Sequence, residues 1–216
     1  MAIDEYDDYE QSERVQKWLR ENGLSIVVGI VLGLVGIFGW QQWRNHQARN
    51  EGEAAQLYQQ LQVATAAGNS NAVVQLVGQL MTDHAKSPYA IFAVTDRARQ
   101  QVDANQLQKA EASLAWARQH ATVPALKSLT MLRIAQVELA RGNGKAALAT
   151  LAGLPANSFS GLAEELRGDV LVKLGRPTDA RKAYQAALAA LSVEAPQRGI
   201  LQMKIDDLAV AGKQGA

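Results

Sequence analysis

Cysteine is absent from all 216 residues, which excludes thiol nucleophiles, disulfide staples and cysteine-ligated metals and leaves the redox compartment open. No segment alternates apolar and polar residues over a strand's length, so a sheet-based architecture is not expected. Reactive constellations are equally scarce. The three histidines, His46, His84 and His120, are far apart and lack a second ligand at helical or loop spacing, so no metal site is expected. Gly142-Asn143-Gly144-Lys145 has a passing likeness to a phosphate loop. Lys145, however, is followed by Ala146, and Leu139 stands where the first glycine belongs, so the run is expected to be a turn. The pairs Glu164-Glu165 and Asp206-Asp207 are adjacent and point to different helix faces, which argues against a shared proton. No nucleophile elbow occurs, so the expectation is no catalytic residue, no cofactor and no enzyme.

A dense basic cluster of the kind that grips nucleic acid is missing too. The net charge of +1 nevertheless divides unevenly. Residues 1–21 carry seven acids (Asp4, Glu5, Asp7, Asp8, Glu10, Glu13, Glu21) against three bases (Arg14, Lys17, Arg20), a local −4. The remaining 19 bases and 14 acids leave +5, spread along the chain. The acidic start fits either a partner-binding tail or a solvated one.

What the sequence does have is one long apolar run. Leu24 to Trp40 contains no charge, and the charge-free window extends from Asn22 to Trp43. As a helix this window reaches about 33 Å, enough to cross a hydrocarbon core of roughly 30 Å. Apolar residues on every face, bracketed by Trp18, Trp40 and Trp43, fit a membrane span better than a core helix. The segment preceding the run is acidic and no small-x-small cleavage site follows, so the segment is expected to remain as an anchor. Three bases before it (Arg14, Lys17, Arg20) and two soon after (Arg44, Arg49) lean toward a cytoplasmic N-terminus. Gly29, Gly33 and Gly36 fall within about 60° of one another on a helix, a groove for a second membrane helix or simply the usual glycine content of such segments. The expected division is a tail at 1–21, a transmembrane helix at 22–43 and a folded domain at 44–216.

After the apolar run the helical pattern continues from Arg44 to about Ala67, with Leu57, Leu61 and Ala64 on one side. Four alanine-rich helix-turn-helix units follow, marked by Ala72, Ala110, Ala147 and Ala180 early in each second helix, at intervals of 38, 37 and 33. These bracket the period of a tetratricopeptide repeat. In the last unit Gly168, Gly175, Ala180, Tyr184 and Ala187 occupy the offsets of that pattern's small and aromatic residues. Glu164, Arg167 and Leu171 depart from it. Ala135, Gly142 and Ala147 repeat the logic, and Ala98, Asn105, Ala110 and Ala117 do so more faintly. Ser87-Pro88, Val123-Pro124, Leu154-Pro155 and Ala195-Pro196 mark helix starts and stops. Residues 197–211 are expected to close the stack through Ile200, Leu201, Ile205 and Leu208, with AGKQGA as a frayed tail. The fold class is therefore all-α: one transmembrane helix, then an α-solenoid of hairpins with a capping helix. In such a solenoid the first helix of each hairpin lines the concave surface, which nominates Arg99, Asp103, Gln136, Asp169 and Lys173 for protein binding.

The stretches ENGLSIVVGIVLGLVGIFGWQQWRNHQ, LRGDVLVKLG and LQMKIDDLAV, in this order behind a short acidic head, resemble the YfgM family of ancillary subunits of the bacterial SecYEG translocon. The resemblance covers essentially the whole chain. It implies an inner-membrane protein with a cytoplasmic N-terminus and a periplasmic repeat domain. It further implies association with the translocon and with a membrane-anchored prolyl-isomerase-like chaperone, a part in handing exported chains to periplasmic chaperones, and a link to envelope-stress signalling. Two other classes fit the same residues: a regulator whose acidic tail holds a cytoplasmic response regulator, and a structural scaffold for an envelope complex.

Overall fold

The structure, a computed structural model, describes the backbone of residues 4–214 and the side chains of residues 14, 16–25 and 27–208. The acidic side chains of Asp4, Glu5, Asp7, Asp8, Glu10 and Glu13 lie outside the described residues, as do Gly215 and Ala216 of the tail. The described residues form nine helices and no strand: α1 (Asp4–Ala66), α2 (Ser70–Asp83), α3 (Pro88–Asp103), α4 (Leu107–His120), α5 (Pro124–Ala140), α6 (Gly144–Ala152), α7 (Ser160–Lys173), α8 (Pro177–Ala190) and α9 (Gln197–Gln214). The closing helix thus continues to Gln214, and the tail expected to fray from Ala211 is helical that far. The chain divides into two compact units, Met1–Asn50 and Glu51–Ala216.

In the first unit the backbone is helical from Asp4, and the apolar side chains stand exposed, from Leu24 at 81% to Phe38 at 68%. Trp40 and Trp43 lie against each other with ring centroids 5.3 Å apart. Among the described residues no single helix is long and apolar enough to cross a membrane. The segments Gln16–Ser25 and Val27–Ala66, bent by 42°, meet that requirement by length and composition only when taken together.

The second unit is built from four hairpins whose turns are the same piece of backbone chemistry. Each first helix ends on a residue in the left-handed region: Gly68 (φ 68°), Asn105 (φ 56°), Gly142 (φ 79°) and Gly175 (φ 71°). That residue's N–H and the next one's both turn back to the helix they leave. Gly142 donates to Leu139 O and Asn143 to Glu138 O, and the same pair of bonds recurs after Gly68, Asn105 and Gly175. Glycine has no Cβ to clash in this conformation, and asparagine tolerates it, so these residues stop a helix and reverse it within three residues. The likeness of Gly142-Asn143-Gly144-Lys145 to a phosphate loop is accounted for by this reversal.

Close packing follows from small residues at matched positions of the two helices. Ala98 faces the second helix with Ala110, Ala135 with Ala147, and Gly168 with Ala180, all buried. These positions sit in separate core clusters, one per repeat interface, as expected of a stack in which each hairpin buries its neighbour. The first hairpin differs. The fourth residue of α2, aligned with Ala110, Ala147 and Ala180, is Val73, so the expected marker Ala72 is one position out of register. Val73 packs into the first core with Leu61, Val77 and Leu80, a cluster of larger side chains. Ala72 instead donates its N–H to the Asn69 side chain, capping α2.

The remaining connections start helices. Pro88, Pro124 and Pro177 each open one, where a missing N–H costs nothing. Ser87, fully buried, caps α3 and donates its hydroxyl to Glu51 at 2.7 Å, pinning α1 to the second hairpin. At the far end α9 buries Leu201 and Ile205 on α8, and Arg198 donates to the free carbonyls of Leu188 and Leu191.

A Cβ at Gly168 would lie less than 3.0 Å from three ring carbons of Tyr184. Gly168→Ala is therefore expected to cost about 1–3 kcal/mol from overpacking. At the turns, Gly142→Ala or Gly175→Ala is expected to cost about 1–2 kcal/mol, while Asn105→Gly leaves stability unchanged or higher. Urea unfolding of the full-length chain in detergent, followed by circular dichroism, checks both. Wild-type midpoints for Gly168→Ala would contradict the close approach of α7 and α8.

Candidate partner-binding face

The first helices of successive hairpins touch one another, α3 against α5 and α5 against α7. On α3 the residues at spacings of three and four, Tyr89, Phe92, Asp96, Arg99 and Asp103, share one face, because helical positions so spaced lie above each other. This stripe meets two neighbours. Tyr58 of α1 joins Tyr89 and Phe92 in a three-ring cluster with centroid separations of 5.9, 6.1 and 6.3 Å. Its phenol donates to Asp96 at 3.0 Å. Burial, reinforced by Asp96, raises the Tyr58 pKa, so the hydroxyl stays protonated and keeps donating.

Farther along the stripe a cavity of about 350 Å³ opens between α3 and α5. Ala98, Val102, Leu114, Val137 and Ala140 supply apolar lining, and Asp96, Arg99, Arg133 and Gln136 supply the polar groups. Its size lies at the low end for sites that hold a ligand group. Arg133 donates to Gln136 at 3.0 Å. Arg97 turns toward a smaller adjoining cavity that shares Asp96 and Arg99 with the first. Its Nε is buried without an acceptor, and burial lowers its pKa.

Of the residues nominated from the sequence, Arg99 and Gln136 line the same cavity. Asp103 is exposed at the end of α3, and Lys173 is exposed at the end of α7. Asp169 is engaged elsewhere: it accepts from the Tyr184 hydroxyl at 2.7 Å and from Lys204 at 2.8 Å, while Lys204 also reaches Glu165 at 3.0 Å. That network ties the capping helix to α7. Gly29, Gly33 and Gly36 belong to the first unit, and nothing among the described residues lies within 4 Å of a Cβ added to any of them. The reading of the sequence passed over Tyr58, Tyr89, Phe92, Arg97 and Arg133. The signal that finds the middle ones is the stripe at 89, 92, 96, 99 and 103, a continuous helical face on which aromatic rings give way to charges.

The tetratricopeptide repeat-like domain family matches residues 16–210, so the chain belongs to that family. Within it, the chain is similar to the ancillary SecYEG translocon subunit of Escherichia coli (strain K12), at 29% identity over 201 residues, 93% of this chain and 96% of that protein. The proteins of the same name from Haemophilus influenzae and Neisseria gonorrhoeae are 29% and 24% identical, over 84% and 94% of this chain and 88% and 97% of their own lengths. The likeness to the YfgM family is thus established over most of the chain.

The Asp169 network has a pH signature. Burial and Asp169 push the Tyr184 phenol well above its ordinary pKa. For Lys204 burial alone would lower the pKa, but hydrogen bonds to Asp169 and Glu165 outweigh it and the net shift is upward. Both groups hold their protons more tightly folded than unfolded. Their stabilisation is therefore complete below the unfolded values of about 10 and lost as pH rises through the folded ones. Stability is expected to fall as pH climbs past about 10, and to fall less steeply in Tyr184→Phe/Lys204→Met. Equal slopes in denaturation series of the two proteins would contradict this assignment.

Proposed function

We propose that the chain is a non-catalytic, membrane-anchored adaptor that associates with the SecYEG translocon and links protein export to periplasmic chaperones. The observation that carries the adaptor reading is the ready-made face on α1, α3 and α5, where rings, an apolar cavity and charged groups lie side by side. Such a surface recognises extended or helical segments by burying a few side chains and orienting them with polar contacts. Translocon association is supported by the name that the relatives carry, ancillary SecYEG translocon subunit, and by their alignment with this chain nearly end to end.

Anchoring is supported by the apolar side chains exposed from Leu24 to Trp43, a larger patch than a protein keeps in water without a partner or lipid. In this reading residues 22–43 cross the inner membrane, residues 1–21 face the cytoplasm and the repeat domain occupies the periplasm. Tethering the domain beside the pore raises its effective concentration against emerging chains, so weak contacts become sufficient. The partners proposed are the translocon, a membrane-anchored prolyl-isomerase-like chaperone and exported chains, with Gly29, Gly33 and Gly36 as the helix-docking groove in lipid.

A photocrosslinking amino acid at Phe92 or Gln136, in intact membranes, is expected to capture these partners, and the same group at exposed Ala115 on α4 to capture far less. Capture from Ala115 but neither groove position would overturn the docking face. Release of the chain by alkaline extraction of membranes would overturn the anchor.

A further inference from the structure

The groove between α3 and α5 holds more positive charge than it neutralises. Arg99 on α3 and Arg133 on α5 line it with a single carboxylate, Asp96, which already accepts hydrogen bonds from Tyr58 and, at 3.5 Å, from Gln62, while Arg97 lines the smaller adjoining cavity toward α1 and α2. Among the described residues no ion pair joins Arg97, Arg99 or Arg133 to an acid, whereas Arg141 pairs with Glu111, Arg167 with Glu164 and Arg176 with Asp179. Arg133 has only the neutral Gln136 as partner. In the adjoining cavity Arg97 has a buried Nε that finds no acceptor. A carboxylate brought to Arg99 and Arg133 supplies the counter-charge and hydrogen-bond acceptors that their guanidinium groups lack.

Directly beside these cations lies the apolar lining of Ala98, Val102, Leu114, Val137 and Ala140, and one turn back the rings of Phe92, Tyr89 and Tyr58. Phosphate-rich polymers would leave that lining unfilled, whereas a polypeptide supplies an apolar side chain and an acid within a few residues of each other. We propose that this groove selects acidic-apolar polypeptide segments, seating a large apolar side chain against Ala98, Val102 and Val137 and a neighbouring Asp or Glu on Arg99 and Arg133. This deepens the docking reading and rests on it. Preference for a carboxylate follows from bidentate guanidinium geometry, and its strength is expected to fall with ionic strength because Arg99 and Arg133 are exposed.

The test uses the full chain in phosphatidylcholine nanodiscs and a short fluorescein-labelled peptide carrying interspersed leucines and glutamates, read by fluorescence anisotropy. Replacing the glutamates by glutamine is expected to weaken binding about tenfold at low salt, and replacing the leucines by serine to weaken it comparably. Arg99→Gln/Arg133→Gln is expected to abolish the preference for glutamate, and Arg118→Gln on α4 to leave it intact. Arg99→Glu/Arg133→Glu is expected to prefer a lysine-bearing version, an inversion that loss of fold cannot produce. Equal binding of the glutamate and glutamine peptides, or no binding of either, overturns the acidic-apolar assignment. If crosslinks from Phe92 and Gln136 persist in that case, the docking face stands and only its proposed selectivity fails. If they vanish, the docking reading fails with it.

Discussion

A chain reversal at a left-handed residue, repeated after Gly68, Asn105, Gly142 and Gly175, sets the geometry on which the rest of the domain depends. The two hydrogen bonds at each such residue are the same, so every second helix starts from the same point of the turn. Side chains equally spaced from the turn then meet across the hairpin, and small residues at those places let the helices close. The intervals from turn to turn are 37, 37 and 33 residues, and the last two recur between the buried Ala110, Ala147 and Ala180. Repetition of the fold is thus repetition of a backbone event, with the side chains following.

Stacking these hairpins has a functional consequence. First helices come to lie next to first helices, so that residues about 37 positions apart in sequence become neighbours, as Arg99 and Gln136 do. A face assembled this way is continuous across repeats, but its chemistry changes along its length: rings over α1 and the start of α3, then an apolar cavity with guanidinium groups, then the carboxylates and Lys204 that bind the cap. The last part is satisfied internally and closes the stack. In the middle part no ion pair among the described residues engages Arg99 or Arg133, which suits a surface that takes a charged partner.

The first unit obeys a different rule. Its apolar residues are exposed on all sides rather than gathered on one face. An apolar surface of that kind is stable where the surrounding medium is itself apolar, and the charge-free window is what marks it. The second unit keeps its apolar residues in one cluster per interface, as a water-exposed stack must.

Much of this was legible in the residue order. The helix pairs announce themselves through Gly142, Gly175, Ala110, Ala147 and Ala180, because a turn needing positive φ and a crossing needing a small side chain each restrict residue type strongly. Prolines 88, 124 and 177 mark helix starts for an equally local reason. Ala72 misled by one position because alanine is common in helices and fits many places, whereas Val73 carries the packing there only through its tertiary neighbours. Asp169 looked like a free surface carboxylate, since nothing near it in sequence indicates that Lys204, 35 residues away, reaches back to it. The cluster of Tyr58 with Tyr89 and Phe92, and the meeting of Arg99, Arg133 and Asp96 in one cavity, were likewise beyond a one-dimensional reading. Local sterics and periodicity determine where helices begin, turn and end, and those are written in neighbouring residues. Which side chains confront each other across a stack depends on the register between hairpins, and that is decided only when the helices pack.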